Sequence, residues 1–130
     1  MDIFFADAMQ DNKEEAEDLN ADQLDRGLDV TGNKFKRKYR NDDYARFKKH
    51  IGSISSPTPD LKVTGKYHRA IKLQKKGLKF QMINTDSKYQ ELIGKYPNHL
   101  GLTLGSRKVL TEDLVPNMVF NMKKWLRSRI

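Results

Sequence analysis

The chain has 130 residues, 37% of them hydrophobic and 32% charged, with no cysteine and a formal net charge of +8. That length suits one domain with a modest core, and six Phe, five Tyr and one Trp argue against full disorder. No apolar run nears the ~20 residues that span a membrane, no secretory leader pattern opens the chain, and zero cysteines exclude disulfides, thiolate metal sites and a Cys nucleophile, as fits a reducing cytosol.

Charge is split along the chain. Of 17 acids, ten (Asp2, Asp7, Asp11, Glu14, Glu15, Glu17, Asp18, Asp22, Asp25 and Asp29) lie in residues 1–29, beside only Lys13 and Arg26. The segment is net −8 and the remainder net +16. Two readings stand: a solvated acidic helix beside a basic globule, or an acidic arm lying on a basic face of its own chain or a neighbour's.

Ile3, Phe4, Phe5, Ala8, Met9, Ala16, Leu19 and Leu24 recur at helical spacing, which predicts one amphipathic helix over about 3–25. Gly27 and Gly32 punctuate a turn, GLDVTGNKF. Asn41 is placed to cap a short helix, DDYARFKKHI, with Tyr44, Phe47 and Ile51 on its inner face. GSISSPTPD, 52–60, reads as a loop. After Thr64-Gly65 the period becomes two: Tyr67, Ile71 and Leu73 alternate with polar residues, Arg69 being the misfit. Leu78, Phe80 and Met82 alternate beyond Gln74-Lys75-Lys76-Gly77, which predicts a hairpin with Gly in its loop and a Lys-rich polar face.

Thr85 or Asp86 can cap a short helix carrying Tyr89, Leu92 and Ile93 and ended by Gly94. KYPNHLGLTLGS then holds a possible short strand. Thr111 opens the last helical segment, regular from about 116 to 129 because Pro116 suits only a first turn. Its stripe is Val115, Met118, Val119, Met122 and Leu126, flanked by Trp125, with Lys123, Lys124, Arg127 and Arg129 at its C-terminal end. The expected fold is α+β: one domain over 1–130, an antiparallel β-hairpin-based sheet packed by a long N-terminal and a C-terminal amphipathic helix. Residues 1–26 form the acidic helix and 27–130 the basic α+β body.

Catalytic chemistry is not indicated. His50, His68 and His99 lack metal-ligand spacing, and Asp42-Asp43 suits a helix start better than acid–base work. G-x-G-x-x-G, G-K-[ST] and G-x-S-x-G are all absent. No catalytic, metal or cofactor-binding residue is assigned. Nucleic-acid binding is the stronger rival: KFKRKYR at 34–40 interleaves bases with Phe35 and Tyr39, and KYHRAIKLQKK at 66–76 adds a second basic stripe. Lys66, Arg69, Lys72, Lys75, Lys76 and Lys79 are the cations that could face DNA, without any base-reading signature.

QLDRGLDVTGNKFKRKY (23–39), DDYARFKK (42–49), TPDLKVTGKYH (58–68), HLGLT (99–103) and a closing amphipathic helix occur in one order. This ordered set resembles the small virion-morphogenesis proteins of tailed bacteriophages, the tail-completion or head–tail neck group. Gly27, Asp29, Gly32, Tyr39, Tyr44, Ala45, Lys48, Asp60, Leu61, Thr64, Gly65, Leu100, Gly101 and Leu102 match the pattern. Ala70 stands where a Ser is common, and His99 where a bulky aromatic is usual. The resemblance implies a non-enzymatic virion subunit, made in the host bacterial cytoplasm and needing no cofactor. It would form a homo-oligomeric ring that joins portal or adaptor to tail proteins. Glu14, Glu15, Glu17 and Asp18 of one subunit could then meet Lys34, Lys36, Arg37 and Lys38 of the next, leaving other cations for non-specific contact with packaged DNA. The alternative is a small basic nucleic-acid-binding protein.

Overall fold

A computed structural model describes residues 2–62, 65–77 and 79–129. Among them are six helices and one two-stranded antiparallel sheet, a mixed α+β arrangement as the sequence predicts. Thr64 of the Thr-Gly turn and Leu78 of the hairpin alternation lie outside the described residues.

The N-terminal helix is two helices, α1 (Asp2–Asp11) and α2 (Lys13–Asp25). The apolar period runs through the break, so hydrophobicity does not cause it. Asn12 does: its φ of −110° leaves the helical range, and its Nδ2 donates to the Ala8 carbonyl at 2.8 Å. A short amide that binds nearby backbone competes with the helix ladder. Ala8, Met9 and Ala16 face the core, whereas Ile3, from the predicted stripe, is exposed.

The turn 27–35 folds as a small unit. Gly27 has φ +71°, and a Cβ there would meet Thr58 Cγ2 at 2.6 Å, so this position needs glycine twice over. Asp29 Oδ1 accepts from the Thr31 N–H at 2.9 Å and its hydroxyl at 2.5 Å, and the Gly32 N–H donates to the Asp29 carbonyl.

Helix α3 (Asp42–His50) is capped by Asn41, whose Oδ1 accepts from the Asp43 and Tyr44 N–H groups. Its predicted inner face is inverted. Tyr44, Phe47 and Ile51 are exposed, and Lys48 is the residue buried. Tyr44 instead packs edge-on against Tyr39 at 5.0 Å between ring centroids.

The strand expected from Tyr67 onward begins later. Gly65, at φ +83°, leads into one helical turn, α4 (Lys66–Arg69), and β1 (Ile71–Lys76) follows. The turn accounts for Arg69, which only a continuous strand would have made a misfit. β1 pairs with β2 (Lys79–Asn84) from Ile71↔Asn84 to Lys76↔Lys79, so strand structure covers residues 74–76 of the predicted loop while Gly77 stays in the turn as expected. α5 (Tyr89–Lys95) contains Gly94 rather than stopping there, with Asp86 Oδ1 accepting the Lys88 N–H just before it.

The closing helix α6 (Leu104–Arg129) has 26 residues and starts seven residues before Thr111, the predicted opening. Thr103 Oγ1 accepts the Ser106 N–H at 3.1 Å, the hydrogen bond of an N-cap. Pro116 lies inside the helix. It removes the N–H that would bind the Glu112 carbonyl, and both residues lie on the exposed side of the helix. The predicted stripe is also displaced: Leu110 and Leu114 are buried, while Val115, Val119 and Leu126 are exposed.

One core cluster joins Ala8, Met9 and Ala16 to Leu73, Leu102, Leu110 and Leu114. A second joins Leu24, Phe35 and Ile71, with Met82 packed against both.

Candidate functional site

The loop 53–62 and α3 are locked by Lys48 and Asp60. Lys48 Nζ lies 2.9 Å from Asp60 Oδ1, with both side chains 4% exposed, and also donates to the Lys62 carbonyl. Asp60 Oδ1 accepts the Lys62 N–H at 3.0 Å, and its own carbonyl accepts from His68 Nε2 at 2.7 Å. Nδ1 of His68 faces Asp25 at 3.5 Å. A cluster of this kind needs every charge paired, because a lone buried ion is costly. Tyr39 packs nearby, its phenol pushed up by burial and by the Asp60 charge.

The serines around the pair are equally committed. Ser55 Oγ donates to the Thr58 carbonyl at 2.7 Å and Ser56 Oγ to the Ala45 carbonyl at 2.6 Å. Lys38 Nζ reaches the Phe35 carbonyl and Thr58 Oγ1. An open crevice of about 280 Å³ lies on one side, lined by Asp22, Asp25, Lys48, Asp60 and Lys62 among others. This geometry braces two segments against each other.

A second cluster secures HLGLT. His99 is fully buried. Its Nδ1 lies 2.8 Å from the Tyr96 carbonyl, which can only accept, so Nδ1 carries the proton. Nε2 therefore accepts from the Tyr67 hydroxyl at 2.6 Å. Burial holds the imidazole pKa below its ordinary value and raises that of the Tyr67 phenol. Helix α2 grips the same segment through two buried amides. Asn20 donates to the His99 carbonyl (3.0 Å) and accepts from the Gly101 N–H (2.8 Å). Gln23 donates to the Gly101 carbonyl and accepts from the Thr103 N–H, both at 2.9 Å. These side chains stand in for a neighbouring strand, which is how 99–103 satisfies its backbone without the predicted strand.

Among the described pattern residues, Lys48 and Asp60 belong to the first cluster, Gly101 to the segment secured by the second, and Gly27, Asp29 and Gly32 to the turn. Leu61 adopts φ +56°, Leu100 packs beside Leu24 and Ile71, and Leu102 is buried in the first core. Gly101 has φ +127°, with Val30 Cγ1 2.8 Å from where a Cβ would sit. Sequence reasoning missed Asn20, Gln23 and the Tyr67–His99 bond. The available signal was two amides on the buried face of α2, between Ala16 and Leu24.

The two charged sets are brought together less fully. Glu14 and Asp18 are exposed, but Glu17 Oε2 accepts the Leu73 N–H at 2.7 Å. Glu15 is hydrogen-bonded to Asp113 of α6; that bond, desolvation and repulsion by the neighbouring carboxylate push its pKa up to about 7. Lys34, Lys36 and Arg37 are exposed, whereas the Lys38 ammonium is used internally. Along the hairpin, the register puts Lys72, Lys76 and Lys79 on the outer face and Lys75 on the opposite one, across from Phe80. Lys66 lies 4.0 Å from Asp86, and Arg69 is exposed.

The Glu15–Asp113 bond predicts a pH effect. Glu15 titrates higher in the folded chain than its ordinary 4.5, so the stability it confers is complete below about 4.5 and is lost as pH rises through about 7. Glu15→Gln keeps a donor towards Asp113 with no proton to lose. Its melting temperature should gain on the wild type as pH rises from about 5 to about 8. A constant gap across that range would mean that the two side chains do not share a proton.

Fold and clusters together define a small α+β domain whose buried polar groups brace loops. Comparison with known protein families, characterised proteins and solved structures yields no match.

Proposed function

We propose that this chain is a structural subunit of a tailed-phage virion, a head–tail connector or tail-completion protein that joins portal or adaptor to tail. The observation that carries the reading is the meeting of Lys48 and Asp60. They come from two separate motifs of the ordered set, and their pairing gives that order a structural reason. The tight bracing of loops suits a part that must hold shape under load. In this reading the exposed Glu14 and Asp18 of one subunit meet Lys34, Lys36 and Arg37 of the next in a head-to-tail ring, assembled in the host cytoplasm and built into the virion.

Imaging virions that carry a tagged copy tests the class, and the expected density is a ring at the neck or tail top. Label absent from assembled particles would overturn it. The Glu14→Lys/Asp18→Lys variant should lose ring mass by light scattering at low salt, and unchanged mass would remove those residues from the interface.

One observation favours the alternative of a nucleic-acid binder. Lys76 and Lys79 are directly paired across the hairpin, and like charges opposed in this way weaken a sheet unless an anion relieves them. DNA binding by the isolated chain that falls steeply with salt, and is lost in Lys76→Glu/Lys79→Glu, would support it.

A further inference from the structure

Helix α6 carries two apolar stripes, and the body of the protein uses one. Leu110, Leu114 and Met118 turn into the first core, and Trp125 packs edge-on against Phe4 at 6.2 Å. Val115, Val119, Met122 and Leu126 form the other, spaced i, i+4, i+7 and i+11 around the helix from the first. Val115 is 50%, Val119 42% and Leu126 50% exposed. A seam of this length and spacing has the pattern of a helix–helix contact, and contiguous apolar surface of this kind is seldom left wet.

We propose that this face pairs with the same face of a second copy, the two α6 helices running antiparallel. The occupant and its direction follow from charge. Glu112 and Lys123 lie about three turns apart on one flank of the stripe, and among the described residues neither makes an ion pair within the chain. Turned end for end about a two-fold axis near Val119, each Glu112 meets the Lys123 of the other copy. Val115 then packs against Met122, and Val119 lies by the axis. A parallel arrangement would carry the two flanks to opposite sides of the seam and keep Glu112 three turns from either Lys123, so only the antiparallel one pairs these charges. The contact is isologous and closes at two copies, unlike a head-to-tail ring contact, and it stands independently of the virion reading.

Sedimentation velocity on the full chain at micromolar concentrations tests this. The wild type should be a dimer, and Val119→Asp a monomer with an unchanged circular-dichroism melt, since that side chain is no part of the core. Glu112→Lys and Lys123→Glu should each weaken the dimer by about tenfold in Kd, every single change turning two attractions into two repulsions. The double variant Glu112→Lys/Lys123→Glu should recover wild-type affinity. A monomeric wild type overturns the proposal, as does a double variant no tighter than either single. Failure here leaves the ring at the phage neck untouched, and the absence of that ring leaves this dimer untouched.

Discussion

Replacing Lys48 by Met is expected to destabilise the fold by about 3–5 kcal/mol, the usual result of leaving one partner of a buried ion pair unpaired. Asp60 would keep the Lys62 N–H but lose its cation at 2.9 Å, in a place where its side chain is 4% exposed. The loss should spread, because the same ammonium binds the Lys62 carbonyl and so fixes the loop on which Leu61 adopts its left-handed conformation. Urea denaturation of the purified variant measures it. The double change Lys48→Met/Asp60→Leu should recover much of the loss, since two apolar groups need no counter-charge. A cost below about 1 kcal/mol for the single variant would show that Asp60 reaches water in the folded chain.

Asn20→Leu is the second large effect, about 2–6 kcal/mol from two main-chain groups deprived of partners at 1–3 kcal/mol each. The substitution keeps the branched shape and heavy-atom count of the side chain, though two methyl groups bring extra bulk to a fully buried position. The His99 carbonyl and the Gly101 N–H would also lose their partners together. Asn20→Asp offers a control. It retains the acceptor for Gly101 but sets a carboxylate oxygen against the His99 carbonyl, and should therefore be no milder than Leu. Denaturant midpoints for the two variants decide the matter. If Leu proves neutral, the segment 99–103 is not held by α2.

Much of the architecture was legible because periodicity records burial. The alternation of Ile71 and Leu73 with lysines marked the hairpin, and Asn41 marked the start of α3. Most of the failures share one cause, that a polar side chain with a tertiary partner looks like any other polar side chain. Lys48 reads as a wet lysine until Asp60 is beside it, so the inner face of α3 was assigned to Tyr44, Phe47 and Ile51. Tyr67 looks like a strand residue until His99 accepts its hydroxyl. Pro116 looks like a helix start unless Glu112 and Pro116 are known to lie on the exposed side of a longer helix. Of the charged sets, the signs were plain in the sequence. Which cations were already spent, as Lys38 is, depended on the loop that folds back to meet it.

Glu17 has a consequence for how the hairpin behaves in a crowded solution. A sheet of two strands has two borders, each offering unpaired N–H and C=O groups as a template for a foreign strand. On the β1 border the Leu73 N–H is occupied by the Glu17 carboxylate, which presents charge where an incoming chain would need a carbonyl. Accretion along that side is blocked at its midpoint by an acid carried on a helix, and Glu17→Ala would unblock it without removing any core residue.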